Sequence, residues 1–241
     1  MNDQEAVEDH ALRLVTERFP HAVGAMLGGS AAQGRATLTS DLDVAVLLPD
    51  PDTSRREVIR HDGRLVELFL HAVGDIAKFF AWDRARRRGT VLFLYDQGLI
   101  LTDPYGHVAR TREQARAVIA TGPLPLTPAE WAHGRYVLTC YLDDLVDAPP
   151  ANRYEQLSLA DHALREAAHL VTAHHGAWTG IGKWLPRRLL SADPARGTAL
   201  LEGHQAVAER ADPMPMATAV EQALDLIGGP LREGYTQRWD I

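Results

Sequence analysis

The sequence has a single cysteine, Cys140, among its 241 residues. One thiol cannot form an intramolecular disulfide, and because Cys140 stands in an apolar stretch we expect it to be a core residue. The chain also lacks any apolar run of the ~20 residues that a membrane-spanning helix needs. Its N-terminus opens with acidic residues in an amphipathic pattern, unlike the basic and then apolar segments of a signal peptide. We therefore expect a soluble, cytoplasmic protein with no membrane partner.

Positive charge is scarce as well. The sequence has 25 Lys and Arg against 32 Asp and Glu, which gives a formal net charge of -7 at pH 7. Such a balance argues against a general nucleic-acid-binding surface. No internal repeat or low-complexity tract is present, which argues against a solenoid or a disordered binding segment. A small or cationic partner fits this composition better, and nucleic acid is an unlikely one.

The first half of the sequence alternates short apolar runs with helical patterns. Periodicity predicts strands at residues 23–27, 42–48, 65–70 and 99–102, and helices up to residue 18, over 73–88 and over 107–120. A connector with two prolines follows near residue 122, and beyond it only helices are predicted. The expected fold class is α+β (α/β). A mixed-sheet domain at residues 1–122 precedes an all-helical bundle domain at residues 123–241.

One stretch joins a glycine turn to a pair of acids. Gly28 and Gly29 follow an apolar strand and precede Ser30, so the backbone can turn sharply and aim N–H groups and the Ser30 hydroxyl at phosphate oxygens. Asp41 and Asp43 begin the next strand at positions i and i+2, which places both carboxylates on one face. Oxygen donors of this kind suit Mg²⁺, which binds a few carboxylates together with substrate phosphates and water.

A third acid, Glu67, stands between apolar neighbours on a later predicted strand. A lone charge in such a place is costly unless something pairs with it, and a shared metal ion would explain its presence. The alternative is an ordinary edge-strand residue in an ion pair with Arg64 or Arg60.

This order of residues resembles the nucleotidyltransferases of the DNA polymerase β superfamily. The pattern is Gly-Ser, roughly ten residues, Asp-x-Asp on a strand and a further acid on a later strand, and the likeness extends over residues 20–105. The small antibiotic-modifying branch, with its aminoglycoside and lincosamide adenylyltransferases, is the most similar because it also pairs such a domain with a helical bundle. Beyond residue 122 the likeness is one of architecture.

The resemblance implies roles for the matching residues. Gly29 and Ser30 would contact ATP or another nucleoside triphosphate, and Asp41 and Asp43 would bridge two Mg²⁺ ions. Glu67 would complete the metal site that activates the acceptor hydroxyl. That hydroxyl would attack the α-phosphate in line and release pyrophosphate.

The helical half offers weaker candidates. His162, Glu166 and His169 stand at i, i+4 and i+7 on the polar side of a predicted helix. The antibiotic-modifying branch uses a carboxylate of its helical domain as general base, and Glu166 is the candidate here. Lys183 is one of only two lysines among 25 basic residues and is a candidate contact to the triphosphate. Trp184 beside it is expected in the core.

We therefore expect Mg²⁺-dependent transfer of a nucleoside monophosphate, by default AMP from ATP, to a hydroxyl of a small acceptor, for example a cationic one such as an aminoglycoside. The active site is expected in the cleft between the two domains. One alternative is nucleotidylation of a protein or tRNA, as in toxin–antitoxin nucleotidyltransferases, with the arginines of residues 84–88 as docking surface. Another is a non-catalytic nucleotide-binding regulatory protein, and the last is a coincidental motif.

Overall fold

The structure is a computed structural model that describes residues 3–35, 37, 40–149 and 151–238. The chain divides into two compact units, residues 1–122 and residues 123–241. The first unit contains a five-stranded sheet and the described part of the second contains helices only, so the expected α+β fold class is confirmed. Among the described residues, no helix combines the length and the apolar character needed to cross a bilayer.

The first unit alternates helices and strands along the chain. Its elements in chain order are α1 (Asp3–Arg18), β1 (Gly24–Leu27), α2 (Gly29–Ala32), β2 (Leu42–Leu48), β3 (Arg55–His61), β4 (Arg64–Ala72), α3 (Ile76–Arg86), α4 (Thr90–Gln97), β5 (Leu99–Thr102) and α5 (His107–Thr121). The strand order in the sheet is β3-β4-β2-β1-β5. Strands β2 and β4 are parallel and every other pair is antiparallel, which makes the sheet mixed.

The middle of the sheet holds the core of this unit. Strands β2 and β4 are each flanked by another strand on both sides, and their apolar runs bury Val44, Val46, Leu68 and Leu70. Helix α1 packs its apolar stripe, which includes Leu14, onto the same cluster. The four predicted strands are present, with bounds that differ from the predicted ones by two residues or fewer.

The edge strand β3 was not predicted from the sequence. Its residues are largely charged, and its side chains are only half-buried or exposed, so neither an apolar run nor a clean alternation marks it. Its antiparallel partner β4 supplies the hydrogen bonds that make it a strand. Residues 55–61 are therefore a strand because they pair with β4 at the edge of the sheet, and not because of their own sequence pattern.

The predicted helix over residues 73–88 is in fact a 3-10 turn followed by α3, and the separate helix α4 was missed. Helix α3 ends because Arg87 adopts the left-handed conformation, with φ of 61°. The buried carboxylate of Asp83 then accepts hydrogen bonds from the backbone N–H groups of Val91 at 2.5 Å and Leu92 at 3.0 Å. This side chain on α3 satisfies the first turn of α4.

The described part of the second unit contains α6 (Pro128–Asp147), α7 (Arg153–His174), α8 (Trp184–Ala192), α9 (Pro194–Arg210) and α10 (Met214–Leu226). Helix α6 starts with a capping box. Glu130 donates its N–H to Thr127 Oγ1 at 3.2 Å, and its carboxylate accepts the Thr127 N–H at 2.7 Å. Helix α7 has an apolar stripe, for example Ala160 and Val171, that is fully buried in the helical core.

Two expectations about single side chains are wrong. Trp184 is 36% exposed, and the guanidinium groups of Arg187 and Arg188 lie 5.0 and 5.5 Å from its ring centroid. Because Trp184 opens α8 at the surface of the unit, its ring packs under cations and not in the core. Cys140 is half-buried and does not belong to the fully buried core.

Candidate active site

Three carboxylates converge where β2 and β4 run side by side. In the parallel register Asp43 pairs with Glu67, so their side chains stand on the same face of the sheet as immediate neighbours. Asp41 precedes β2 by one residue. Oxygen atoms from the three carboxylates all lie within 4.8 Å of one another. The structure therefore brings together the three acids that the sequence singled out.

The third acid, Glu67, is half-buried. Its side chain is 13% exposed, and the guanidinium of Arg56 on β3 lies against its Oε1 atom. The basic neighbour is therefore neither Arg64 nor Arg60, and Arg60 donates to the Gly63 carbonyl at 2.9 Å. Three carboxylates this close repel one another unless cations neutralise them. The donor set fits a divalent ion that prefers oxygen ligands.

The glycine turn lies directly against this group of acids. Gly28 donates its N–H to the Asp43 carbonyl at 2.7 Å. Gly29 has a φ of +61°, and a Cβ atom on it would collide with Asp43 Oδ2. A Cβ on Gly28 would collide with the side chain of Leu94. Positive φ and the close approach of Asp43 thus favour glycine at position 29, whereas at position 28 the Leu94 side chain would have to shift. Ser30 follows half-buried in the short helix α2.

The two candidates from the helical half lie in the second unit. Lys183 is exposed immediately before α8. Glu166 is half-buried on α7 and lines a pocket of about 550 Å³, so it does not stand on a solvated face as the helical pattern suggested. Burial raises the pKa of Glu166, and the charge of His133 opposes that rise. His162 remains exposed and stacks on Tyr141 with ring centroids 5.4 Å apart.

Sequence reasoning missed most of this pocket. Its polar lining includes Glu130, His133, Glu166, His169, Tyr235 and Arg238. The Tyr235 hydroxyl lies 2.8 Å from His133 Nδ1, and its ring stacks on Tyr136 with centroids 4.3 Å apart. Because Tyr235 and His133 are 102 positions apart, no local pattern could have paired them.

The pocket also depends on a glycine of α6. A Cβ on Gly134 would stand 3.0 Å from Glu166 Oε1 and 2.6 Å from the side chain of Leu170. Glycine at this position lets the carboxylate of α7 approach the backbone of α6 closely. The sequence offered no signal for this role because a lone glycine in a helical pattern is ambiguous.

The arginines of residues 84–88 form a smaller charged surface than the sequence suggested. Arg84 donates to the Gly122 carbonyl at 2.9 Å, and Arg87 is only 3% exposed. The guanidinium of Arg86 lies 4.4 Å from the ring centroid of Trp82. Arg84 is thus bonded to the backbone and Arg87 is buried, so only two of the four side chains are left for a polyanion-docking surface, which weakens the case for one.

Residues 10–89 match the family model of the nucleotidyltransferase domain. This range contains the glycine turn and all three acids. This part of the chain is similar to a nucleotidyltransferase domain. The match supports nucleotidyl transfer as the general reaction, and a transferase of this kind takes a nucleoside triphosphate and a divalent metal.

No curated protein matches the sequence at a significant level. Among solved structures, a nucleotidyltransferase-like protein from Exiguobacterium sibiricum 255-15 is similar, with 15% sequence identity and a TM-score of 0.46. The alignment covers 91% of this chain and 74% of that one.

Proposed function

We propose that this chain transfers a nucleoside monophosphate, by default AMP from Mg²⁺-ATP, to a hydroxyl of a small cationic acceptor and releases pyrophosphate. One observation carries the proposal. Carboxylate oxygens of Asp43 on β2, Glu67 on the parallel strand β4 and Asp41 just before β2 lie within 4.8 Å of one another, inside the range that matches the nucleotidyltransferase domain. A glycine turn packs against the central carboxylate, Asp43.

Each residue of the site has a role in this reaction. Asp41 and Asp43 would hold both metal ions, and Glu67 would complete the site that faces the acceptor hydroxyl. When bound, Mg²⁺ lowers the pKa of that hydroxyl and neutralises charge on the reacting phosphates. The backbone after Gly29 and the hydroxyl of Ser30 would orient the triphosphate. Lys183, with its exposed ammonium, is proposed as a further contact to the triphosphate.

The pocket of the second unit supports a cationic acceptor. At about 550 Å³ it has the size of a small-molecule site. Its lining contains the carboxylates of Glu130 and Glu166, and burial already raises the pKa of Glu166. A cationic ligand offsets the desolvation of such a carboxylate, and a carboxylate with a raised pKa is also the better general base. We propose that Glu166 acts as the general base.

Calorimetry with each nucleoside triphosphate tests the metal–nucleotide site. Binding in Mg²⁺ should vanish in EDTA and in Asp41→Asn/Asp43→Asn. The matched control is Asp50→Asn/Asp52→Asn, because these acids have the same spacing just beyond the other end of β2. Their carboxylates accept the N–H of Gly74 and of Thr53, and Asp52 pairs with Arg55 at 3.6 Å. Unchanged binding in the Asp41/Asp43 variant, or no binding of any triphosphate by the wild type, would refute the proposal.

An acceptor screen tests the transfer itself. Aminoglycosides, lincosamides and polyanionic controls are incubated with Mg²⁺-ATP, and the products are weighed for an added AMP by mass spectrometry. Glu166→Gln should lower kcat by about 10²-fold or more if it acts as general base. The matched control Glu155→Gln changes an exposed acid on the same helix and should leave the rate unchanged. Labelling of protein or tRNA in place of small molecules would overturn the acceptor class but not the transferase.

A further inference from the structure

A second group of side chains of the types that bind metals lies in the first unit and contains none of the acids above. His10 stands on α1, His61 ends β3, and Asp62 follows in the turn to β4. One ligand atom from each of the three residues lies within 4.8 Å of the others. The nucleotidyltransferase chemistry described above uses none of them.

The turn fixes two of the three donors. His61 pairs with Arg64 across a two-residue loop made of Asp62 and Gly63. Both loop residues have positive φ, 46° and 79°, which is the backbone of a tight type I′ hairpin. The hairpin therefore holds Asp62 beside His61 through its backbone.

The distances between donor atoms approach those of a metal site. His61 Nδ1 lies 3.1 Å from His10 Nε2 and 3.9 Å from Asp62 Oδ2. Ligands around a tetrahedral Zn²⁺, with bonds of ~2.0–2.1 Å, stand roughly 3.3 Å apart. The planes of the two imidazole rings meet edge to face at an angle of 88°, so the rings are not stacked.

A fourth side chain acts on the other side of His61. Glu17 Oε2 lies 3.5 Å from His61 Nε2. A carboxylate beyond a metal-binding histidine accepts the second ring N–H and leaves the first nitrogen with its lone pair toward the ion. Glu17 and His61 have the chemistry of that pair.

We propose that His10, His61 and Asp62 bind one divalent ion of the Zn²⁺, Co²⁺ or Ni²⁺ class, with Glu17 as the positioning residue. Two imidazoles and one carboxylate favour these ions over Mg²⁺, which prefers oxygen donors alone. The ion ties α1 to the β3–β4 hairpin, where an Arg18–Glu57 ion pair at 2.9 Å already joins α1 to β3. Because β4 carries Glu67, the ion stabilises the hairpin that supplies the third carboxylate of the active site.

The test is a Co²⁺ and Zn²⁺ titration of the full chain, prepared without a histidine tag and stripped with chelator. The Asp41→Asn/Asp43→Asn background removes the competing acid site, so the signal does not depend on the proposed enzyme activity. We expect one equivalent of Co²⁺ with the visible absorption of a low-coordinate nitrogen-ligated ion, and a rise in Tm when Zn²⁺ is added. His10→Gln and His61→Gln should lose both signals, and Glu17→Gln should weaken affinity by ~10-fold or more.

Two further variants serve as controls for unspecific binding and for loss of folding. His21→Gln removes an exposed histidine a few residues beyond α1 and should change nothing. Asp62→Asn keeps a residue that tolerates positive φ, so it should fold and yet bind Co²⁺ more weakly. All variants are compared with the Asp41→Asn/Asp43→Asn protein that keeps His10, His61 and Asp62. Equal Co²⁺ spectra in that protein, His61→Gln and Asp62→Asn would overturn the proposal. So would the absence of Co²⁺ binding in that protein, because the two histidines would then form only a hydrogen-bonded pair.

Discussion

Replacing Gly29 with alanine isolates the contact on which the candidate active site depends. Gly29 has a φ of +61°, and a Cβ there would overlap Asp43 Oδ2 and stand 3.0 Å from Asp43 Cγ. The left-handed backbone alone costs an alanine about 1–2 kcal/mol. The overlap must in addition displace the Asp43 carboxylate from its position beside Asp41 and Glu67. Gly29→Ala should therefore lose stability and metal–nucleotide binding together.

A second glycine separates those two effects. Gly63 has a φ of +79°, and a Cβ on it would have no atom within 4 Å. Gly63→Ala should lose a similar ~1–2 kcal/mol of unfolding free energy without disturbing the acids. The pair of variants therefore shares the backbone strain and differs in the contact with Asp43.

Urea denaturation and calorimetry with Mg²⁺-ATP measure the two quantities. We expect similar losses of stability, with Mg²⁺-ATP affinity reduced at least ~10-fold and any transfer rate about 10²-fold in Gly29→Ala alone, since misplacing a catalytic group by 1 Å costs about that much. If Gly29→Ala binds Mg²⁺-ATP as the wild type does, the glycine turn is not what positions Asp43, and the reasoning fails.

Three further predictions concern the first unit. Burial lowers the pKa of His71 to about 4, so the neutral imidazole stabilises the fold above pH 6.5 and this contribution is lost as the pH falls toward 4. Urea denaturation should therefore show that His71→Gln loses about 3 kcal/mol less unfolding free energy than the wild type over this pH range. Arg56→Gln removes the cation that lies against Glu67, and because Arg56 is mostly exposed, calorimetry should show Mg²⁺ affinity rising by ~5-fold at most; weaker binding would make Arg56 part of the site. Asp83→Ala leaves two N–H groups of α4 without acceptors and should cost about 1–3 kcal/mol in urea, a loss that an unchanged midpoint would contradict.

The central strands and the motif were visible in the sequence because each is a local pattern. The run that forms β2 is apolar since it is buried on both faces, and the spacing of Asp41 and Asp43 needs only the alternation of a strand. Strand β3 gave no such signal, because an edge strand of charged residues owes its form to pairing with β4. Helix α4 was missed for a related reason, since the carboxylate that completes its first turn belongs to Asp83 on another helix.

By itself, the sequence determined the mixed-sheet and helical classes of the two halves, the glycine turn and the identity of the three acids, since all of these follow from spacing along the chain. Only the tertiary structure decided that Glu67 pairs with Asp43 across parallel strands, that Arg56 is its basic neighbour, and that Glu166 lines a pocket. It also brought His10 to His61, 51 positions away. Contacts of this kind depend on register and packing between distant segments, and neither is encoded in a local period.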